Sequence, residues 1–91
     1  RLLYELEKYE QAKRFYQQAL KSERHWKRQA QIHTNLGSVE QRLHNLDAAL
    51  VHYESALNLE LENGGENSAG LSATYNNIAT LYYKQKKMGL A

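Results

Sequence analysis

The chain contains neither cysteine nor proline among its 91 residues. Without cysteine it can form no disulfide framework and no cysteine-based zinc or redox site, so we expect an intracellular, cytoplasmic setting. Without proline, long stretches contain no strong backbone breaker. An excess of one charge is also missing, because 12 Lys and Arg against 10 Asp and Glu leave a net charge of +2. No global field therefore directs the chain to nucleic acid or to an anionic membrane.

Long apolar runs are absent as well. No run approaches the roughly 18 residues of a membrane span, and the first residues lack the apolar segment of a signal peptide. We therefore expect a soluble chain without a membrane partner. A length of 91 residues allows one small domain at most, and an isolated core of that size is usually marginal.

Apolar residues recur at spacings of three and four, which is typical of amphipathic helices. The spacing predicts helices near residues 9–24, 26–43, 47–62 and 69–87. Between them, the polar step 44–47 predicts a tight turn with Asn45 as a helix N-cap, and Gly64 and Gly65 suit a left-handed C-terminal cap. Gly37 lies inside a helix, where we expect another backbone to approach too closely for a Cβ.

The helical segments repeat one another. Residues 9–20 (YEQAKRFYQQAL) and 46–57 (LDAALVHYESAL) share two Ala, a Tyr and a Leu at an offset of 37. Residues 33–43 (HTNLGSVEQRL) and 75–85 (YNNIATLYYKQ) match at an Asn and the two small or apolar residues after it, at an offset of 42. Recurrence in this range is typical of stacked helical hairpins, so the predicted fold class is all-α.

At these residues the sequence resembles the tetratricopeptide repeat (TPR) family. That pattern has Leu-Gly and then an aromatic in the first helix, followed by Ala, an aromatic and Ala in the second. Leu36-Gly37 supplies the first-helix pair, and unit two continues with Ala49, Tyr53 and Ala56. The departures are Glu40 at the aromatic position, the missing terminal proline, and the residues at the usual turn glycine, which are Glu7, His44 and Lys86. The stretch ATYNNIATLYYKQKK is similar, more specifically, to kinesin light chain repeats.

The resemblance implies antiparallel helical hairpins stacked as a right-handed TPR-type α-solenoid, with about two and a half repeats. Its register assigns residues 1–25 to a partial repeat 1, residues 26–67 to repeat 2 and residues 68–91 to the first helix of repeat 3. Residues 1–6 would then be the tail of a preceding helix. Since hairpins bury their apolar faces against neighbours, we expect the chain to be part of a longer array.

Catalysis and metal binding find no support in the residue pattern. The four histidines, at positions 25, 33, 44 and 52, miss the i,i+4 spacing of helix-borne zinc motifs. No Gly-x-Ser-x-Gly, phosphate-loop or dinucleotide motif occurs. We therefore expect no enzyme activity, no metal and no cofactor.

A basic segment, KSERHWKR at residues 21–28, offers charge beside the Trp26 ring. With Lys13 and Arg14 it could bind RNA by combined charge and stacking. The plainer interpretation, which we prefer, is a polar joint between two helices with Trp26 packed inward. Nucleic acid is therefore not the partner that we expect.

In the resembled family, first helices line a concave groove for extended peptides, and an Asn before the Leu-Gly pair holds the peptide main chain. The matching residues are Asn35 and Asn77, whose carboxamides carry both a donor and an acceptor. The resemblance predicts a peptide-binding groove lined by Gln31, Thr34, Asn35, Ser38, Gln41, Arg42, Ala73, Asn77, Thr80, Tyr83 and Lys84. The same positions could instead be merely solvated. Uncharged Ala73 and Asn77 argue against the family's clamp for terminal carboxylates, although Arg42 and Lys84 could still meet an acidic peptide.

We therefore expect a non-enzymatic protein–protein interaction scaffold that binds a short peptide or a partner helix in this groove. The alternative is a homo-oligomer formed by stacking or swapping of the terminal helices, because Ile78, Leu81 and Tyr82 would lack a neighbouring helix. RNA binding through residues 13–28 is the third possibility.

Overall fold

The computed structural model describes residues 2–65 and 70–87, with side chains for residues 4–65 and 70–86. The described chain forms four α-helices, which are α1 (Leu2–Ser22), α2 (Trp26–Arg42), α3 (Leu46–Asn63) and α4 (Gly70–Lys87). No strand occurs in these ranges, so the predicted all-α class is confirmed. Each helix packs on the next one along the chain. None of these helices combines the length and the apolar character needed to cross a bilayer.

Helix α1 is continuous from Leu2 to Ser22. The prediction that the first residues form the tail of a separate, preceding helix is therefore wrong for residues 2–6. The reason is local, because Glu7 replaces the turn glycine and the surrounding stretch, ELEKYEQAK, consists mostly of strong helix formers. Without a breaker or a capping residue, the helix continues through the position at which the family pattern turns.

The core lies where α3 meets its neighbours. Leu46, Ala49 and Tyr53 of α3 form a buried cluster with Leu81 of α4. The expectation that Leu81 lacks cover is therefore wrong, since α3 buries it completely. On the same helix Tyr82 points outward and remains 52% exposed.

Gly37 of α2 lies against the ring of Tyr53, which is only 1% exposed. A Cβ on Gly37 would lie 2.5 Å from Cε1 of that ring, closer than carbon atoms pack without strain. The predicted close approach at Gly37 is present, but its partner is an aromatic side chain and not a backbone. The aromatic ring crosses α2 at this point and occupies the space in which a second backbone was expected.

The turn between α2 and α3 is as tight as predicted. His44 adopts a left-handed φ of 65°, its N–H donates to Gln41 O over 3.0 Å, and Asn45 N–H donates to Glu40 O over 2.8 Å. These two bonds form a Schellman motif, in which His44 occupies the position that glycine usually takes. Asn45 is the N-cap residue of α3, but its side chain makes no capping bond to that helix.

Glu40 stands where the family pattern has an aromatic residue, and it is only 4% exposed. Its Oε2 lies 3.2 Å from Nζ of Lys13 on α1, and its Oε1 accepts a 2.9 Å hydrogen bond from Nδ2 of Asn45. A buried charge is tolerable when it is paired and hydrogen-bonded in this way. Glu40 therefore ties α1, α2 and the following turn together.

Helix α3 ends as predicted with a glycine in the left-handed region. Gly65 has a φ of 69°, and Gly64 N–H donates to Glu60 O over 2.8 Å. The predicted boundary between repeats 2 and 3, at residues 67 and 68, lies outside the described residues.

Candidate functional site

Two neighbouring cavities lie between α2 and α4, on successive turns of both helices. The first, here the Glu60 cavity, has a volume of about 370 Å³ and is lined by Ala30, Gln31, Thr34, Asn35, Glu60, Gly70, Ala73 and Thr74. The second, here the Arg42 cavity, has a volume of about 330 Å³ and is lined by Ser38, Gln41, Arg42, Tyr53, Asn77, Thr80 and Lys84. Together we call them the groove. It collects ten of the eleven residues predicted from the sequence, whereas Tyr83 lines neither cavity. Their role in binding stays a prediction.

The carboxamides of Asn35 and Asn77 lie in different cavities of the groove. Asn35 is exposed and Asn77 is half-buried. No hydrogen bond links either carboxamide to the described part of the chain. The hydroxyl of Thr34 differs, because it donates to Ala30 O over 3.0 Å. The donors and acceptors of both carboxamides therefore remain available to a ligand.

Tyr53 is a groove residue that the sequence reasoning missed. Its hydroxyl donates to Oε1 of Gln41 over 2.9 Å and lies 3.3 Å from Oγ of Ser38, which serves as donor in that contact. Because the Tyr53 ring is buried, this contact fixes the amide of Gln41. Tyr53 belongs to the second helix of its hairpin, and the lack of a side chain at Gly37 was the available sign that it could reach the groove.

Glu60 and Thr74 were also missed. Glu60 is 8% exposed, although it carries a carboxylate, and its Oε1 accepts a 2.8 Å hydrogen bond from the buried hydroxyl of Thr74. A Cβ on Gly70 would collide with Oε2 of Glu60, so that oxygen lies over the first residue of α4. In the described part of the chain no cation pairs with this carboxylate.

The opposite end of the groove is basic. Arg42 and Lys84 are exposed there, and neither forms an ion pair within the described ranges. Both also line a third cavity of about 420 Å³, which reaches Glu5, Leu6 and Tyr9 on α1. The groove therefore carries opposite charges at its two ends and continues toward α1 at the basic end.

A histidine pair joins α2 and α3 and lines neither cavity of the groove. Nδ1 of His33 lies 3.1 Å from Nδ1 of His52. Burial, followed by the charge of His52, lowers the pKa of His33. Burial is also the main cause that lowers the pKa of His52, where Glu40 acts in the opposite direction and Lys13 adds to the lowering. Both shifts favour the neutral imidazole, and a neutral pair can share one hydrogen bond between the two Nδ1 atoms when one ring carries its proton there.

Metal ligands do not gather in the described residues, since no group of three or more His, Asp or Glu side chains lies together there. The sequence spacing of the histidines gave no sign of the His33–His52 contact, because 19 residues and a turn separate the two rings. His25 has a local role, as its Nδ1 accepts the N–H of Lys27 over 3.1 Å and caps α2.

The basic segment 21–28 forms the joint between α1 and α2. Trp26 is half-buried, and its ring stacks on His25 at a centroid distance of 6.1 Å. Lys13, which an RNA-binding face would need, forms an ion pair with Glu40 instead. These contacts favour the polar joint over a nucleic-acid interface.

Comparison with known proteins addresses the family directly. No curated protein and no solved structure matches the chain significantly. A family model for the tetratricopeptide repeat matches residues 28–91, and a second model of the same description matches residues 1–25. The finer similarity to kinesin light chain repeats stays a prediction. Since the first match spans well over half of the sequence and the helices follow the expected order, the chain belongs to the tetratricopeptide repeat family.

Proposed function

We propose that this protein is a non-enzymatic scaffold whose groove binds a short, extended peptide from a partner protein. Tetratricopeptide repeats generally mediate protein–protein interaction. The observation that carries the proposal is the placement of Asn35 and Asn77. They stand on the two helices that form the groove, and their carboxamides have no partner in the described part of the chain.

A carboxamide suits this task because one group donates and accepts at once. It can therefore hydrogen-bond a peptide unit of any sequence, and side-chain pockets beside it supply the selectivity. The groove offers such pockets around both asparagines. The Gln41 amide, whose oxygen is already engaged by Tyr53, presents its N–H donors in a fixed orientation, so binding orders fewer side chains.

The proposal is tested by selecting binding peptides from a random displayed library and titrating them by calorimetry. Asn35→Ala with Asn77→Ala should weaken binding by about tenfold or more, since each lost hydrogen bond contributes about 0.5–1.5 kcal/mol. The matched control is Asn76→Ala, which removes an exposed carboxamide next to Asn77 and should leave affinity unchanged. Equal affinity of the double variant and the wild type would remove the groove as the binding site.

Self-association through α4 is the second candidate. Tyr75 and Tyr82 are both 52% exposed, and a separation of seven residues places them on one face of the helix. Leu81 was expected to be uncovered and to drive self-association, but it is buried within the chain and cannot do so. Sedimentation equilibrium over a wide concentration range tests it, and a strict monomer would rule it out.

A further inference from the structure

Glu60 presents a carboxylate that no cation of the described chain neutralises. We propose that Glu60 anchors a lysine or arginine side chain of the peptide that the groove binds. This inference rests on the proposed function and specifies the partner, which must carry a basic residue that reaches the Glu60 cavity.

The hydrogen bonding of Glu60 is incomplete for a buried carboxylate. An ionised carboxylate has about four acceptor sites, whereas the described chain supplies one bond, from the neutral hydroxyl of Thr74. Glu40 shows the alternative, since it is equally buried but has both Lys13 and Asn45 as partners. Burying an unpaired charge is costly. A cationic side chain entering the cavity would supply the missing donors in a charge-assisted bond.

The residues around Glu60 leave room for such a side chain. Ala30, Gly70 and Ala73 are small and line the cavity. At Gly70 even a methyl group would displace the carboxylate, because Oε2 of Glu60 occupies the place of the Cβ. The cavity of about 370 Å³ is therefore lined by the Glu60 carboxylate and by small residues, and the Thr74 hydroxyl holds that carboxylate in orientation.

The basic end of the groove predicts where the bound peptide carries an acidic residue relative to its basic one. Thr74 bonds the Glu60 carboxylate, and Lys84 at the basic end lies ten residues further along α4, a rise of about 15 Å. An extended peptide advances about 3.3 Å per residue, so about four or five residues separate the two charged ends. A partner that fills both cavities should carry a basic residue and, about four or five positions away, an acidic residue facing Arg42 and Lys84.

The experiment uses peptides selected from a random displayed library against the wild-type protein and retained only if Asn35→Ala with Asn77→Ala weakens them. These peptides should share a Lys or Arg, with Asp or Glu about four or five positions away. Glu60→Gln keeps the shape and the Thr74 contact but removes the charge, and it should weaken binding by about tenfold or more. Glu62→Gln is the matched control, because it makes the same charge change at an exposed site on α3 and should have no effect.

A double-mutant cycle supplies the decisive measurement. Exchanging the basic residue of the peptide for Gln should weaken wild-type binding as much as Glu60→Gln does, and the two changes together should weaken it little further. If Glu60→Gln does not fold, as judged by circular dichroism, the peptide exchange against wild-type protein decides alone. If the asparagine-dependent peptides share no basic residue, or if exchanging that residue does not weaken binding, the inference about Glu60 is overturned. The proposal that the groove binds peptides would still stand in that case. A library that yields no asparagine-dependent peptide would overturn both proposals.

Discussion

Replacing Gly37 by alanine tests whether the Tyr53 ring sets the distance between α2 and α3. The new methyl group would lie 2.5 Å from Cε1, 2.7 Å from Cδ1 and 2.9 Å from Cζ of that ring. The ring cannot move freely, because it is buried and its hydroxyl is bonded to Gln41. The strain must therefore be relieved by a shift of the helices or by loss of the hydroxyl contacts.

Opposing effects determine the sign of the change in stability. In a helix interior, Gly to Ala alone stabilises by about 1 kcal/mol. Overpacking a filled site costs about 1–3 kcal/mol, and a displaced Tyr53 hydroxyl would lose a hydrogen bond that contributes about 1 kcal/mol. We therefore expect Gly37→Ala to lower the free energy of unfolding by about 1–3 kcal/mol. In a domain of this size each kcal/mol shifts the melting midpoint by about 4–8 °C.

Urea unfolding followed by circular dichroism measures this effect in the wild type and in a Tyr53→Leu background. Leucine lacks the Cε1 and Cζ atoms that meet the new methyl group, so Gly37→Ala should there be neutral or stabilising. If the effect of Gly37→Ala on the free energy of unfolding changes sign between the two backgrounds, the loss in the wild type comes from contact with the Tyr53 ring and not from helix propensity. Stabilisation by Gly37→Ala in the wild type, or an equal effect in both backgrounds, would refute the reasoning.

Three further outcomes follow from the contacts outside the groove. His44→Gly should raise the free energy of unfolding in urea by about 0.5–1 kcal/mol, because it relieves a left-handed φ, and a loss of stability would contradict this. Burial lowers the pKa of His33 and His52 below the usual 6.5, so unfolded chains take up protons first and stability falls as the pH drops below about 6.5. His33→Gln should flatten that pH profile, and an unchanged profile would show that the pair is not its source. Lys13→Met should cost about 1–3 kcal/mol in thermal unfolding, but much less in a Glu40→Gln background, whereas equal losses would show that the two charges are not coupled.

The helices were predictable because their signal is local. Apolar spacing placed α2, α3 and α4 within one or two residues of their observed ends. The start of α1 was not predictable from the repeat pattern, since that pattern supplies a turn at Glu7 whether or not the residue there can make one. Position 44 is a second turn position that holds another residue, His44, in place of glycine. The chain does turn there, because two main-chain hydrogen bonds fix the turn.

The groove positions could be predicted as far as the repeat register reaches. Equivalent residues on successive first helices, such as Asn35 and Asn77, line one groove because α2 and α4 both pack on α3. Tyr53 and Glu60 belong to the intervening helix, α3; the repeat pattern marks Tyr53 only as the aromatic of the second helix and does not mark Glu60. How far an inward side chain extends, and whether it emerges in the groove, depends on what lies in its path. For these two residues the path is open at Gly37 and Gly70.

The buried carboxylates of Glu40 and Glu60 have different roles at two neighbouring helix contacts. Glu40 lies where α1 packs on α2, and Lys13 and Asn45 use its oxygens within the hairpin. Glu60 lies where α3 meets the start of α4, and among the described residues only Thr74 engages it. A buried carboxylate that is paired with a cation of its own chain holds helices together, whereas one without such a cation and with an open cavity beside it can gain free energy by binding a cation. That difference in pairing, more than the burial itself, makes Glu60 a candidate for binding and Glu40 a structural residue.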